Sequence, residues 1–245
     1  MSVAILQFPG SNCEDETAQA LDKLSISYER VPWNSAVNLD RFSGFILPGG
    51  FSFQDRIRAG VIAAKLPIIR QLRHESTKGK LILGICNGAQ ILVEAGLFSH
   101  HDVLTDIIDL NYVHETPIGF MCDWGFLRPF NHRHTPFLAS FNDNTVLPVQ
   151  ICHGEGRFLH KTPPTSGLVY SRIDGHTEAT FPTTPNGATN GLAAISNAEG
   201  NAFAIMPHPE RSLNSQRYPH AIRAYAKKNH LALTDFTDLF NAFKG

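Results

Sequence analysis

A surplus of either charge is the first thing this chain lacks. Its 245 residues carry 21 Lys and Arg against 22 Asp and Glu, a formal net charge of −1. The two signs are intermixed and no basic tract gathers them, so nothing marks a polyanion partner and no nucleic acid is expected. Long apolar runs are also missing. None approaches the ~18 residues that suggest a membrane span, so no membrane partner is expected. The N-terminus passes directly into the apolar stretch Val3–Leu6, without a basic segment or signal-type hydrophobic region, which makes a cytoplasmic location the expectation. Cysteine is scarce: Cys13, Cys86, Cys122 and Cys152 show neither C-x-x-C nor framework spacing, so reduced thiols are the default. No internal repeat or low-complexity linker divides the chain.

What is present is an ordinary globular composition, 42% hydrophobic and 18% charged, long enough to bury a core without disulfides or metal. Over the first hundred residues short apolar strands alternate with helix-like segments. Val3–Phe8, Ser27–Val31, Gly44–Leu47 and Leu81–Ile85 read as strands. Glu14–Leu24, Ile57–His74 (kinked or ended by Pro67) and Ala89–Ala95 read as helices. Such alternation predicts parallel strands joined by crossover helices, an α/β doubly wound sheet. From about residue 110 to 206 shorter β-like runs recur: Gly119–Phe126, Thr145–Ile151, Gly167–Tyr170, Gly191–Ile195 and Ala202–Ile205. These are expected as mixed or antiparallel additions to the same sheet, with a loop at 182–191 and helices at Gln216–Lys228 and Leu233–Phe243. A single domain over 1–245 is the expectation.

Chemistry concentrates at residues 84–88, Gly84-Ile85-Cys86-Asn87-Gly88, directly after the apolar run Leu81–Leu83. A cysteine between two glycines, where a strand turns into a helix, is the sequence form of a nucleophile elbow. The glycines are needed because the turn is tight and backbone passes close on both sides. At a helix N-terminus the dipole and the free N–H groups favour an anionic sulfur, so Cys86 is expected to be a nucleophile rather than a buried structural cysteine. In open parallel sheets ligands bind beyond the carboxyl ends of strands. Two more strand ends carry informative residues, Pro9-Gly10-Ser11-Asn12-Cys13 and Pro48-Gly49-Gly50-Phe51-Ser52. The Gly49-Gly50 pair suits a backbone N–H turned into the site. With the N–H of Asn87 it would make a two-donor oxyanion hole.

A thiolate nucleophile needs a base, and the base needs an orienting carboxylate. Of twelve histidines the leading candidate is His208, in Met206-Pro207-His208-Pro209-Glu210-Arg211 at the end of Ala202–Ile205. Flanking prolines stiffen the segment, and Glu210 two residues on is placed to set the tautomer and stabilise the imidazolium. His100-His101 and His132-Arg133-His134 lack the spacing of a zinc site and read as solvated surface; no metal site is expected. His153, in His153-Gly154-Glu155-Gly156-Arg157-Phe158, resembles part of a ligand-contacting loop, with Cys152 beside it packed inward.

Taken together, these segments resemble the class I (triad) glutamine amidotransferases of flavodoxin-like fold. More narrowly, they resemble the glutaminase subunits of phosphoribosylformylglycinamidine synthase, an enzyme of de novo purine synthesis. The Cys elbow with a downstream His-Pro-Glu marks the superfamily. Gly10–Cys13, Gly49–Ser52 and His153–Phe158 narrow it, and the segments match in order and spacing across residues 1–211. Gln54 departs from the small residue more usual there, and segments 99–134 and beyond 212 carry no diagnostic motif.

The resemblance implies that Cys86 attacks the side-chain amide of L-glutamine, while N–H groups near Gly49, Gly50 and Asn87 hold the oxyanion. His208, oriented by Glu210, would serve as acid and base, and Gln90 and His153 would contact substrate. The ammonia released would pass to a separate synthetase (large) subunit, assisted by a small bridging subunit. The chain has no Gly-x-x-x-x-Gly-Lys-Ser/Thr loop, so no cofactor is expected in it; ATP and Mg²⁺ would belong to that partner. Two alternatives are another triad amidotransferase, serving GMP, carbamoyl phosphate or cobyric acid synthesis, and a non-catalytic member of the wider elbow-cysteine fold. Against the first stand Gly-Gly-Phe-Ser and Gly-Ser-Asn-Cys; against the second, a complete triad.

Overall fold

The computed structural model describes residues 2–98, 106–161 and 163–245. His100 and His101 lie outside the described residues. The first part alternates β1 (Val3–Gln7), α1 (Glu14–Lys23), β2 (Tyr28–Pro32), β3 (Gly44–Leu47), α2 (Val61–Ala64), α3 (Pro67–Thr77), β4 (Leu81–Ile85) and α4 (Asn87–Glu94). The remainder contains β5 (Asp106–Leu110), β6 (Tyr112–Val113), β7 (Thr116–Pro117), β8 (Met121–Phe130), β9 (Leu147–His153) and β10 (Glu155–His160). Then follow β11 (Gly167–Ser171), β12 (Leu192–Ser196), β13 (Ala202–Ile205), α5 (His220–Lys228) and α6 (Thr237–Asn241).

Nine strands form one sheet in the order β2-β1-β3-β4-β13-β12-β11-β8-β9. The first five are mutually parallel, and their order is that of a flavodoxin-like sheet with β13 taking the fifth place. The last four pairings are antiparallel, so the predicted additions extend the same sheet. The sequences of β3 (GFIL) and β13 (AFAI) are apolar throughout and wholly buried, as strands covered on both faces must be. Acidic residues Glu14, Asp15 and Glu16 open α1, where they complement the helix dipole. The apolar core runs without interruption from Val3 to Phe240. Among the described residues no helix is long and apolar enough to cross a membrane.

Several boundaries differ from the sequence reading for definite reasons. The predicted helix Ile57–His74 is two helices, because Leu66 is extended before Pro67 and Pro67 opens α3 at its first turn. Segment His153–Phe158, read as a loop, is the end of β9 and the start of β10, which pairs antiparallel with β5. Gly156 sits at a register slip between Glu155 and Arg157, and Gly154 joins the two strands. A Cβ on Gly156 would lie 2.1 Å from His153 Nδ1. The tail helices are shorter than predicted, with Pro219 setting the start of α5 and 3-10 turns at Ser215–Arg217 and Ala242–Lys244.

Helix α4 packs on the sheet through its own Gly88 and through Gly84 of β4. A Cβ on Gly88 would stand 1.9 Å from the carbonyl oxygen of Leu47, and one on Gly84 2.7 Å from that of Gly88. No side chain fits in either gap, so the elbow can close only with glycine on both sides of Cys86. Gly88→Ala is therefore expected to destabilise the fold by about 1–3 kcal/mol, the usual cost of overpacking. A urea titration reads this directly; an unchanged midpoint would contradict the contact.

Candidate active site

Cys86 directly follows β4 with φ 50° and ψ −111°, a left-handed conformation that a non-glycine residue adopts only when its surroundings impose it. Its N–H donates to Ile205 O at 2.8 Å, tying the turn to the end of β13. The cysteine is 7% exposed. Behind it α4 begins at Asn87, and the first N–H groups of a helix have no intrahelical acceptor. The site thus lies where β3, β4 and β13 all end, the carboxyl edge of the parallel half.

His208 reaches this edge three residues after β13. Its backbone N–H donates to Gln150 O at 2.8 Å, and a 3-10 turn over Pro209–Arg211 then brings Glu210 back alongside. His208 Nδ1 and Glu210 Oε1 are 2.6 Å apart, with both side chains almost wholly removed from solvent. Burial alone would lower the basicity of His208. The charges of Glu210 and Cys86, with side-chain hydrogen bonding to Cys13 and Cys86, outweigh it and hold the imidazole well above the ordinary histidine range. The imidazolium is the favoured state, beside the thiol of the elbow. Gly49 sits among these groups: a Cβ there would meet His208 Cε1 at 2.9 Å, Cys13 Sγ at 3.1 Å and Cys86 Cβ at 3.3 Å.

The turn after β3 is fastened to the elbow by one side chain. Asn87 Oδ1 accepts the N–H of Ser52 at 2.9 Å, while its Nδ2 donates to Asp55 Oδ1 at 3.1 Å and Gln90 Oε1 at 2.9 Å. Gln90 Nε2 donates in turn to Glu155 O at 2.7 Å. One lone pair and one N–H of the Gln90 amide remain for a ligand. Gly50 stands at φ +146° with its Cα too close to Ser11 and Gly10 for a side chain. Phe53, Gln54 and Asp55 follow with positive φ, so Gln54 occupies a backbone conformation that favours small or polar residues. Burial, then the nearby charge of Glu155, raises Asp55 to about 6.

His153 is buried at the end of β9, on a strand rather than in the predicted loop. Asn111 Nδ2 donates to His153 O at 2.8 Å and Gly119 O at 3.2 Å, which assigns Oδ1 as the acceptor. That oxygen receives the N–H of Gly156 at 3.0 Å and faces His153 Nδ1 at 3.2 Å. The proton of the neutral ring therefore sits on Nδ1, and Nε2 is a buried acceptor without a partner among the described residues. Burial and the charge of His208 lower the histidine to about 3, so it is neutral throughout the physiological range. Cys152 does not pack inward. Strand alternation turns it away from Ile151 and His153, half-buried and 3.5 Å from Cys122 Sγ on β8.

The structure brings Cys86, His208, Glu210, Gly49, Gly50, Asn87 and Gln90 to one edge. The sequence reading missed the fastening roles of Asn87 and Asn111, the carboxylate of Asp55, and the contact of Arg211 Nη2 with Cys13 Sγ at 3.2 Å. A signal existed for two of them: Cys13 closes a strand-end motif, and Arg211 directly follows the His-Pro-Glu run.

This arrangement of buried thiol, imidazole and carboxylate can carry out acyl transfer at a carbonyl. Comparison with known proteins agrees. The CobB/CobQ-like glutamine amidotransferase domain family matches residues 1–243. The phosphoribosylformylglycinamidine synthase subunit PurQ of Methanothrix thermoacetophila is 36% identical over 89% of each chain. PurQ of Pyrococcus furiosus is 36% identical over 85% of this chain and 88% of its own. Among solved structures, a chain of PurLQS from Thermotoga maritima superposes with a TM-score of 0.76 at 28% identity, covering 99% of this chain and 97% of that one. A second glutamine amidotransferase from T. maritima, at 16% identity and a TM-score of 0.56, shares the fold. With a match along nearly its whole length and relatives well above 30% identity, the chain belongs to the CobB/CobQ-like glutamine amidotransferase family.

Proposed function

We propose that this chain is the glutaminase subunit of phosphoribosylformylglycinamidine synthase, with Cys86, His208 and Glu210 as its catalytic triad. The observation that carries the reading is the buried His208–Glu210 contact set against the thiol of the Cys86 elbow. The thiolate of Cys86 attacks the side-chain amide carbon of L-glutamine. The N–H groups of Gly50 and Asn87 receive the developing oxyanion, with Gly49 leaving the room this requires. Protonated His208 donates to the amide nitrogen, the C–N bond breaks and ammonia departs, leaving a γ-glutamyl thioester on Cys86. Neutral His208 then takes a proton from water, whose oxygen attacks the thioester carbon. The thiolate leaves, His208 holds the proton again, and glutamate is released. Glu210 keeps the imidazole in one orientation and stabilises its charged form. Gln90, with its spare amide valences, and His153, with its unprotonated Nε2, face substrate.

Ammonia passes to the synthetase (large) subunit, to which ATP and Mg²⁺ belong, and a small bridging subunit joins the two. Support comes from the PurQ relatives and from the T. maritima chain solved within PurLQS. The subunit works in the cytoplasm, where nucleotide precursors are made.

In the assembled enzyme Cys86→Ala is expected to abolish glutamine-dependent synthesis, by more than ~10³-fold, while synthesis from added ammonium persists. Glutamine-dependent turnover in that variant would remove Cys86 from the mechanism. His208→Ala should stop thioester turnover, and Glu210→Gln should cost about one to two orders of magnitude less, because its part is orientation. Equal losses, measured as glutamate released, would contradict the division of roles. Incubation with the glutamine-analogue electrophile diazo-oxo-norleucine should label one peptide, the one holding Cys86; mass analysis placing the label elsewhere would exclude the nucleophile.

A further inference from the structure

The mechanism leaves one buried nucleophile unused. Cys13, 2% exposed, sits at the turn from β1 into α1, and its N–H donates to Gly49 O at 3.2 Å, which fixes it to the edge of the site. One ligand atom from each of Cys13, His208 and Glu210 lies within 4.8 Å of the other two. We propose that these three side chains form a capture site for a thiophilic divalent cation, with Zn²⁺ as the type, and that its occupation silences the triad.

Sulfur, imidazole nitrogen and carboxylate oxygen are the donors that a borderline-soft, four-coordinate ion prefers, at bond lengths of ~2.0–2.3 Å. Donors around such an ion lie under ~4 Å apart, so modest side-chain movement closes the set. A second observation points the same way. Glu210 Oε2 is buried and has no hydrogen-bond partner among the described residues, although its sister oxygen holds His208. An orphaned carboxylate oxygen in the interior is costly, and an ion would satisfy it. The guanidinium of Arg211 borders the site: its Nη2 approaches the Cys13 sulfur at 3.2 Å and Glu16 at 3.3 Å, and its Nε stands 3.8 Å from Glu210 Oε1. Water supplies the fourth ligand.

An ion held here uses a nitrogen of His208 and an oxygen of Glu210, so the acid-base function stops without any change at Cys86. The binding claim stands on the donor geometry alone; its effect on turnover rests on the triad reading above.

Co²⁺ serves as the spectroscopic probe. The chain has four cysteines, so Cys86→Ala with Cys122→Ser and Cys152→Ser leaves Cys13 as its only thiol and removes the adjacent Cys122–Cys152 pair as a competing site. In that full-length variant one equivalent of Co²⁺ should produce a thiolate-to-cobalt charge-transfer band. Adding His208→Ala should weaken binding at least tenfold. Absence of the band, or a band indifferent to His208, would overturn the proposal. In the otherwise native enzyme complex Zn²⁺ should inhibit glutaminase turnover reversibly on chelation. Cys13→Ala should raise the inhibitory Zn²⁺ concentration at least tenfold, scaled to that variant's own rate. Equal sensitivity would refute Cys13 as a ligand. Failure of the triad reading shows instead as glutamine-dependent activity in Cys86→Ala, with the cobalt spectrum unaffected.

Discussion

Everything at the carboxyl edge depends on the left-handed turn at Cys86. A non-glycine residue at φ 50° stores strain of about 1–3 kcal/mol, which the surroundings must overcome. They do so from two sides. The Cys86 N–H is anchored to Ile205, and α4 presses on the Leu47 carbonyl through a glycine that permits contact at backbone distance. The strain holds the sulfur clear of the helix and faces it toward the loops from β3 and β13.

Electrostatics then decide what the sulfur can do. His208 and Glu210 are removed from water together, and burial favours a neutral ring. The carboxylate reverses that preference because the two groups touch in a region of weak screening. His153, a short distance away, shows the opposite outcome of the same environment. Its neighbour is the neutral amide of Asn111 rather than a carboxylate, and it stays uncharged. Two buried imidazoles thus take opposite charge states, set by whether an acid or an amide holds Nδ1. The arrangement separates a proton-carrying histidine from one that can only accept.

Much of this was legible in the sequence, and for local reasons. The elbow, the two strand-end turns and the His-Pro-Glu run are each a few consecutive residues whose chemistry and conformation are bound together. The parallel order of β1 to β4 followed from alternation of short apolar runs with amphipathic segments. What escaped the sequence depends on partners far along the chain. That His153 lies on a strand is decided by its pairing with Met121 on β8 and by Asn111, and the glycines at 154 and 156 imitate a loop where one joins two strands and the other sits at a register slip. The fastening of the β3 turn by Asn87 could not be read because Ser52 and Asp55 are more than thirty residues away. Cys152 was misplaced because the strand phase that turns it outward is set by its pairing with β8.

The position of β13 has a consequence for how the molecule is made. This strand is the thirteenth in sequence yet lies in the middle of the sheet, between β4 and β12. Until it is synthesised, β4 presents a bare apolar edge, a template for unwanted pairing with other chains. A ribosome that has delivered the elbow must still deliver more than a hundred residues before the histidine arrives. The nascent chain therefore carries Cys86 for about half of translation without the imidazole it will face, and the two meet only when the sheet is sewn shut.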